Sequence, residues 1–299
     1  MKTQIKKTRM FFAIVIFCLI ALKSVTQPGK PSQTGYAPVN GLKMYYEIYV
    51  PAGTAAGEGK PLVLLHGAFM TINTNFGQLI PELSKSRKVI AVEFQGHGRT
   101  ADIDRPFSFE SMADDIAALL KYLKVDKADI FGYSLGGMVA WQVAIRHPQL
   151  VRKLIITSAV YKYEGWTPET RAILPNLNPQ IFEGTPIKTQ YDSLAPDPKH
   201  WIQFVNKMKQ FVSTPYDFTA EKIRAIKSPT LIIAGDGDGV SLEHAVEMYR
   251  LRGGKYMVDF GPAPQTQLAI FPGTSHVGAM MRTDWLLSVM TPFLDTVTQ

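Results

Sequence analysis

Two hydrophobic rhythms alternate along most of the chain. Short unbroken apolar runs, such as PLVLLHG from Pro61, KVIAVEF from Lys88 and ADIFGY from Ala128, have the length of strands buried on both faces. Between them lie amphipathic stretches. In SFESMADDIAALLKYLKV, Phe109, Met112, Ile116, Leu119, Leu120 and Leu123 recur at helical spacing behind Ser108 at the N-cap position. FGQLIPELSKS, LGGMVAWQVAIRH and SLEHAVEMYRLRG read as further helices, VRKLIITSA, PTLIIAGD and QLAIFPG as further strands, and the segment from about Arg282 to Val297 as a closing helix. Alternation of this kind predicts the α/β class: a mostly parallel central sheet with helices on both faces.

The rhythm changes in three places. VNGLKMYYEIYV sets an Asn40-Gly41 turn beside an alternating run, the signature of an antiparallel hairpin. Between Tyr161 and Lys227 the chain is rich in proline and aromatics and has no buried-strand run, which predicts a helical cap inserted after the sixth strand. Its clearest helix is DPKHWIQFVNKMKQFV, with Asp197 at the N-cap and Trp201, Phe204, Val205, Met208, Phe211 and Val212 along one face. Residues 1–26 begin with bases and continue in the apolar run Met10–Leu22, too short for a comfortable membrane span. The expectation is an export signal cleaved near Thr26, the alternative an anchor over residues 10–22. The domain plan is therefore a signal at 1–26, a linker at 27–38, core at 39–160, cap at 161–227, and core again at 228–299.

Composition narrows the function class. With 46% hydrophobic and 19% charged residues the chain can bury a large core. The net charge of +7 is concentrated at the start, where Lys2, Lys6, Lys7, Arg9 and Lys23 meet no acid. The remainder is close to neutral, so no nucleic-acid footprint is expected, and membrane contact only through an uncleaved N-terminus. Cys18, the only cysteine, lies inside the signal, so a mature chain would have no thiol chemistry. No metal-ligand spacing appears, and neither a metal nor a cofactor is expected.

The chemistry-bearing stretch is DIFGYSLGGMV, where an apolar strand runs into a helix through Gly132-Tyr133-Ser134-Leu135-Gly136. A G-x-S-x-G turn at such a junction holds the serine in a strained backbone and pushes its hydroxyl out at the carboxyl edge of the sheet. A serine hydroxyl needs a base to become a nucleophile, and the base needs an orienting acid. Of the six histidines, only His244 and His276 follow the resumed sheet. His244 falls in a helix body and reads as a surface residue, whereas His276 sits in the loop after LAIFPG. For the acid, GDGDGV offers Asp236 and Asp238; Asp238, deeper in the loop, is the one able to reach an imidazole. The backbone N–H groups of Ala68 and Leu135 are the expected oxyanion donors. Phe69 and Tyr133 are candidates to line the pocket, with plain core as the alternative for either, and the apolar cap stripe suggests either an apolar pocket or the cap's own packing.

The runs HGAF, GHGRT, GYSLGGMVA, GDGDGV and PGTSH, in that order from about Gly35, resemble the α/β-hydrolase superfamily, and the single cap resembles its serine-nucleophile lipase, esterase and haloperoxidase-like group. The resemblance implies Ser134 as nucleophile, His276 as base, Asp238 as its partner and Ala68 with Leu135 as oxyanion donors. Glu93 and Thr100 depart from the family's usual Asp and Ser in the turn before GHG, and both changes read as structural. A serine nucleophile argues against dehalogenase and epoxide-hydrolase chemistry, which use aspartate there. The implied function is cofactor-independent cleavage of carboxylic esters of apolar small molecules through an acyl-enzyme. Perhydrolysis and lactone, amide, peptide or C–C hydrolysis are the alternatives on the same triad, and a non-catalytic binding protein the contrasting class.

Overall fold

The computed structural model describes residues 29–53, 60–255, 259 and 265–296. The expected signal or anchor over residues 1–26 lies outside them. Among the described residues, one eight-stranded sheet organises the molecule in the order β1-β2-β4-β3-β5-β6-β7-β8. Its strands are β1 (Gln33–Val39), β2 (Leu42–Tyr49), β3 (Leu62–Leu65), β4 (Val89–Val92), β5 (Ala128–Tyr133), β6 (Val151–Thr157), β7 (Thr230–Gly237) and β8 (Thr266–Ser275). From β4 through β8 every pairing is parallel, while β1 and β2 form an antiparallel edge.

That edge is the expected hairpin. Asn40 and Gly41 both take positive φ, 46° and 87°, the twist a two-residue turn needs to join right-handed strands. The strand starts earlier than expected, however. Gln33 already pairs with Ile48, so half of the stretch assigned as a 27–38 linker belongs to the sheet.

Alternate side chains of each central strand feed two cores. Val63, Leu65, Ile90, Val92, Ile130, Leu154 and Ile156 point to one face, under α3 (Phe109–Tyr122) and α4 (Leu135–Arg146). Leu62, Leu64, Val89, Ala91, Phe131, Ile155, Leu231 and Ile233 point to the other, under α1 (Ile72–Phe76), α2 (Leu79–Leu83) and α11 (Thr283–Asp295). Each fully buried aliphatic side chain contributes roughly 1.5–3 kcal/mol of transfer free energy, which is why strands apolar on both faces end up central. Ser108 caps α3 by accepting from the Ser111 N–H, as its position predicted.

The turn after β4 explains the Glu93 departure. Its carboxylate, fully buried, accepts from the Arg99 N–H at 2.6 Å and from Arg99 Nη1 at 3.0 Å. A Cβ on residue 98 would lie 2.3 Å from the Glu93 carboxyl, so the longer acid fits because Gly98 stands there. Burial pushes the Glu93 carboxyl up to about 6, against the pull of Arg99. Thr100 donates to the Glu93 carbonyl and accepts from the Tyr45 N–H, tying this turn to β2.

Between β6 and β7 the chain forms short helices: α5 (Pro168–Ile173), α6 (Pro186–Leu194), α7 (Trp201–Ser213) and α8 (Ala220–Ala225). Asp197 accepts from the Lys199 N–H and starts a single 3-10 turn, Pro198–His200, from which α7 continues. Trp201 packs on Phe182, Tyr191 and Phe204, and Phe211 on Phe107 and Phe109, so most of the aromatic stripe holds the cap together and to the core. The remaining helices are α9 (Leu242–Leu251) and α10 (Gly278–Met281). No described helix is long and apolar enough to cross a membrane.

Candidate active site

Ser134 is the hinge between β5 and α4. Its φ of 52° is left-handed, a conformation that costs a non-glycine residue of order 1–3 kcal/mol and persists only where the surroundings enforce it. The surroundings here are bare backbone. A Cβ on residue 132 would lie 2.2 Å from the Gly136 carbonyl oxygen, one on residue 136 would lie 2.0 Å from the Leu65 carbonyl oxygen, and one on residue 137 would lie 2.5 Å from the Ala159 methyl. The glycines let helix α4 approach β3 and β6 closely enough to make the bend. Although Ser134 occupies the N-cap position of α4, its side chain makes no capping bond.

The hydroxyl turns instead to His276, whose Nε2 lies 3.0 Å from Ser134 Oγ. The other ring nitrogen, Nδ1, is 2.7 Å from Asp238 Oδ1. An ionised carboxylate only accepts, so Nδ1 carries the proton and Nε2 presents its lone pair to the serine. Three residues from the ends of β5, β7 and β8 thus converge across separations of 142 and 38 positions.

The Asp238 side chain is completely buried and bonded at both oxygens. Oδ1 also accepts from the Val240 N–H at 3.2 Å, and Oδ2 accepts from Ser158 Oγ at 2.5 Å and lies 3.5 Å from the Gly235 N–H. Burial alone would raise this carboxyl, but the charge and hydrogen bond of His276, with those of Ser158 and Val240, outweigh it and hold the group below the ordinary carboxylate range. Asp236 goes elsewhere: exposed, it accepts from the Thr274 N–H at 3.1 Å and pins the end of β7 to β8.

The loop after β3 completes the site. His66, fully buried, accepts at Nε2 from the Phe94 N–H, 3.1 Å away, which leaves Nδ1 to donate to the Gly67 carbonyl at 2.7 Å. The Gly67 N–H in turn donates to Asn75 Oδ1 at 2.7 Å. Ala68 and Phe69 follow, Phe69 with a φ of 62° and its ring 4.8 Å from Phe182 and 5.6 Å from Phe204. Leu135 is the first helical residue of α4, where amides have no intrahelical acceptor. Phe69 lines a cavity of about 10 Å³ with Met70, His97, Ile187, Tyr191 and Phe204, a space that admits about one water molecule.

Tyr133 takes the core alternative, and His244 differs from expectation. Tyr133 is buried under the Gly67 backbone, its ring 5.4 Å from that of His276 and its hydroxyl donating to the His276 carbonyl at 3.1 Å, so it braces the histidine loop from behind. His244 is not on the surface. It is buried, stacked on Tyr161 at 4.8 Å, accepts from the Tyr161 N–H and donates from Nδ1 to Glu247. Gly165 permits this, since a Cβ there would meet the imidazole at 2.3 Å. Trp166, at the start of the cap, stands edge-on 5.7 Å from His276 and bridges to Val240 of the acid loop. Neither Ser158 nor Trp166 carries a spacing signal in the chain; only the register of β6 and the fold-back of the cap bring them here. Among the described residues there is no group of three or more metal-ligating side chains.

Residues 60–218, more than half of the chain, match the family described as alpha/beta hydrolase fold. The chain belongs to the α/β-hydrolase family. Among its curated relatives is the 2-hydroxymuconate semialdehyde hydrolase of Pseudomonas sp. (strain CF600), 36% identical over 128 residues, 40% of this chain and 45% of that protein. The matched stretch thus spans less than half the length of this relative. The serine hydrolase BPHL of Mus musculus is 25% identical over 240 residues, 74% of this chain and 76% of the relative. Among solved structures, a meta-cleavage product hydrolase from Pseudomonas fluorescens IP01 superposes with a TM-score of 0.66 at 22% identity, covering 89% of this chain and 98% of its own. A putative lipase from Acinetobacter baumannii AYE reaches 0.70 at 18% identity, covering 88% and 90%. At these identities the two structures speak for the α/β-hydrolase fold alone.

Proposed function

We propose that this α/β-hydrolase cleaves carboxylic esters of small apolar molecules by a Ser-His-Asp mechanism without a cofactor. The single observation that carries the reading is the pair of contacts through His276, 3.0 Å to Ser134 and 2.7 Å to Asp238. Ser134 Oγ attacks the ester carbonyl carbon while His276 Nε2 takes its proton, and Asp238 stabilises the imidazolium that forms. The N–H groups of Ala68 and Leu135 receive the negative charge on the carbonyl oxygen, each worth about 3 kcal/mol of barrier. His276 then gives the proton to the departing alkoxide, leaving an acyl-serine. Water, activated by the same imidazole, releases the acid and restores Ser134.

The aromatic wall that Phe69 forms with Phe182 and Phe204 is in keeping with an apolar acyl group. The relatives run from a semialdehyde hydrolase to a deacetylase, a methyl ester esterase and an epoxide hydrolase, so they favour hydrolysis in general over any one substrate. Epoxide opening is the least supported, because a serine stands at the elbow.

A panel of p-nitrophenyl esters of graded acyl length, run on wild type and Ser134→Ala, tests the reading. The expected result is turnover of short to medium chains that disappears in the variant. Turnover by Ser134→Ala at the wild-type rate would remove the serine from the chemistry.

A further inference from the structure

The end of β6 repeats the geometry of the end of β5. Tyr133 and Thr157 are register partners in these adjacent parallel strands, so Ser134 and Ser158 are the next residues off neighbouring strand ends. Both have φ of 52°. The Ser134 N–H donates to the Thr157 carbonyl, and the Ser158 N–H to the Ile233 carbonyl of β7, at 2.9 and 2.8 Å. The first bend exposes its hydroxyl to His276. The second, fully buried, turns its hydroxyl onto the far oxygen of Asp238.

We propose that Ser158 is a positioning residue of the hydrolytic site, its hydroxyl holding the Asp238 carboxylate at the rotation that aims Oδ1 at His276 Nδ1. The inference rests on the triad reading above. The torsion about a carboxylate's Cβ–Cγ bond is soft, so a carboxylate keeps one orientation only where both oxygens are held. Oδ1 is held by His276 and Val240. On Oδ2 the Ser158 bond is the short one, and without it only the Gly235 N–H at 3.5 Å remains, the outer limit of a hydrogen bond. A carboxylate free to swing would let the imidazole tilt away from Ser134 during turnover. Ser158 is fully buried and turned onto the Asp238 carboxylate, so it is not in reach of substrate and substrate affinity should not depend on it.

Ser158→Ala and Ser158→Gly form the test pair. Both delete the hydroxyl, but only glycine takes a φ of 52° without strain. Both variants should lose kcat by about 10- to 100-fold, the value of one hydrogen bond to a charged group, with KM nearly unchanged. Both should also lose or broaden the low-field NMR resonance of the His276 Nδ1 proton expected of wild type. In an Asp238→Asn background, Ser158→Ala should cost nothing further. A glycine variant with wild-type kcat and resonance would reduce Ser158 to a backbone bend and overturn the proposal, as would an additive loss in the double variant. Should the alanine variant fail to fold, the glycine variant carries the test. The resonance is read on the resting protein, so a wild type that shows it but hydrolyses no ester would sink the proposed reaction and leave the positioning role standing.

Discussion

Ser134, His276 and Asp238 occupy chemically distinct settings, and each makes its own prediction. Asp238→Asn keeps the shape of the side chain but offers His276 an amide. It should lower kcat roughly 10,000-fold, the size expected when the orienting carboxylate of such a triad is neutralised. Asp236→Asn should stay near wild type in the same assay, because its contact is with Thr274 and not with the imidazole. A reversed ranking would transfer the role. Gly136→Ala tests the bend itself: its methyl would lie 2.0 Å from the Leu65 carbonyl oxygen, where no flexible side chain can yield. The expected cost is about 3 kcal/mol or more in chemical denaturation, together with loss of activity. The convergence of Ser134, Asp238 and His276, the proposed triad, was legible in the chain because each sits at a strand end marked by glycine or a loop, as in GYSLGG, GDGDGV and PGTSH. Ser158 was not legible, since a serine closing an apolar run has no pattern of its own until strand register sets it beside Ser134. Tyr133 could be read either way in the chain, and its core placement is settled only by the packing of its ring under Gly67 and against His276.

At the scale of elements, the cap's fastenings to the core include two polar ones far apart in the chain. Near its start, the Thr167 N–H donates to the Gly239 carbonyl and the Ser241 N–H to the Gly165 carbonyl, zipping the cap's first strand-like segment to the loop that carries Asp238. On the far side, α7 reaches the loop after β4, where Asp102 accepts from Lys207 Nζ at 2.8 and 2.9 Å, from His200 Nε2 at 3.1 Å and from Gln95 Nε2 at 2.6 Å. Because the cavity beside Phe69 is closed down by Phe204 of α7, release of this second fastening should open it. Asp102→Ala should lower stability by about 1–3 kcal/mol, less than a fully buried pair because Lys207 can rehydrate. It should also raise hydrogen exchange across residues 201–213. Unchanged exchange there would show that the aromatic packing of Trp201, Phe204 and Tyr191 holds α7 without the ion pair. That packing was foreseeable from the 3.6-residue stripe, but the hydrophobic pattern could not tell cap core from substrate wall, since both demand the same side chains. The early start of β1 escaped for a related reason: Gln33, Thr34 and Gly35 lie on an exposed edge, where pairing leaves no hydrophobic trace.

For the whole molecule, buried histidines weaken the fold in acid, while the raised Glu93 carboxyl acts in the opposite direction as pH falls through about 6. Burial is the main reason that the His97 imidazole falls to about 4, below the ordinary histidine range, and burial, then the neighbouring His97, drive His66 in the same direction. Both are neutral in the fold, whereas the unfolded chain binds protons below about 6.5. Their contribution is therefore complete above that pH and lost as pH falls toward the folded values, with His97 alone accounting for about 3 kcal/mol by pH 4. Melting temperature should drop steeply between pH 6.5 and 4, and His97→Phe should flatten that slope; parallel curves for the two proteins would contradict it. The α/β class was readable from alternating apolar runs, because a parallel sheet buries its strands on both faces, whereas the proposed Ser, acid, His order came from the strand-end motifs. The central claim is that Ser134 Oγ is a nucleophile activated by His276, and covalent trapping measures it most directly. Incubation with a fluorophosphonate, followed by intact mass and peptide mapping, should show one adduct per chain, on Ser134, formed far more slowly in His276→Ala. No adduct, or an adduct on another serine, would contradict the account.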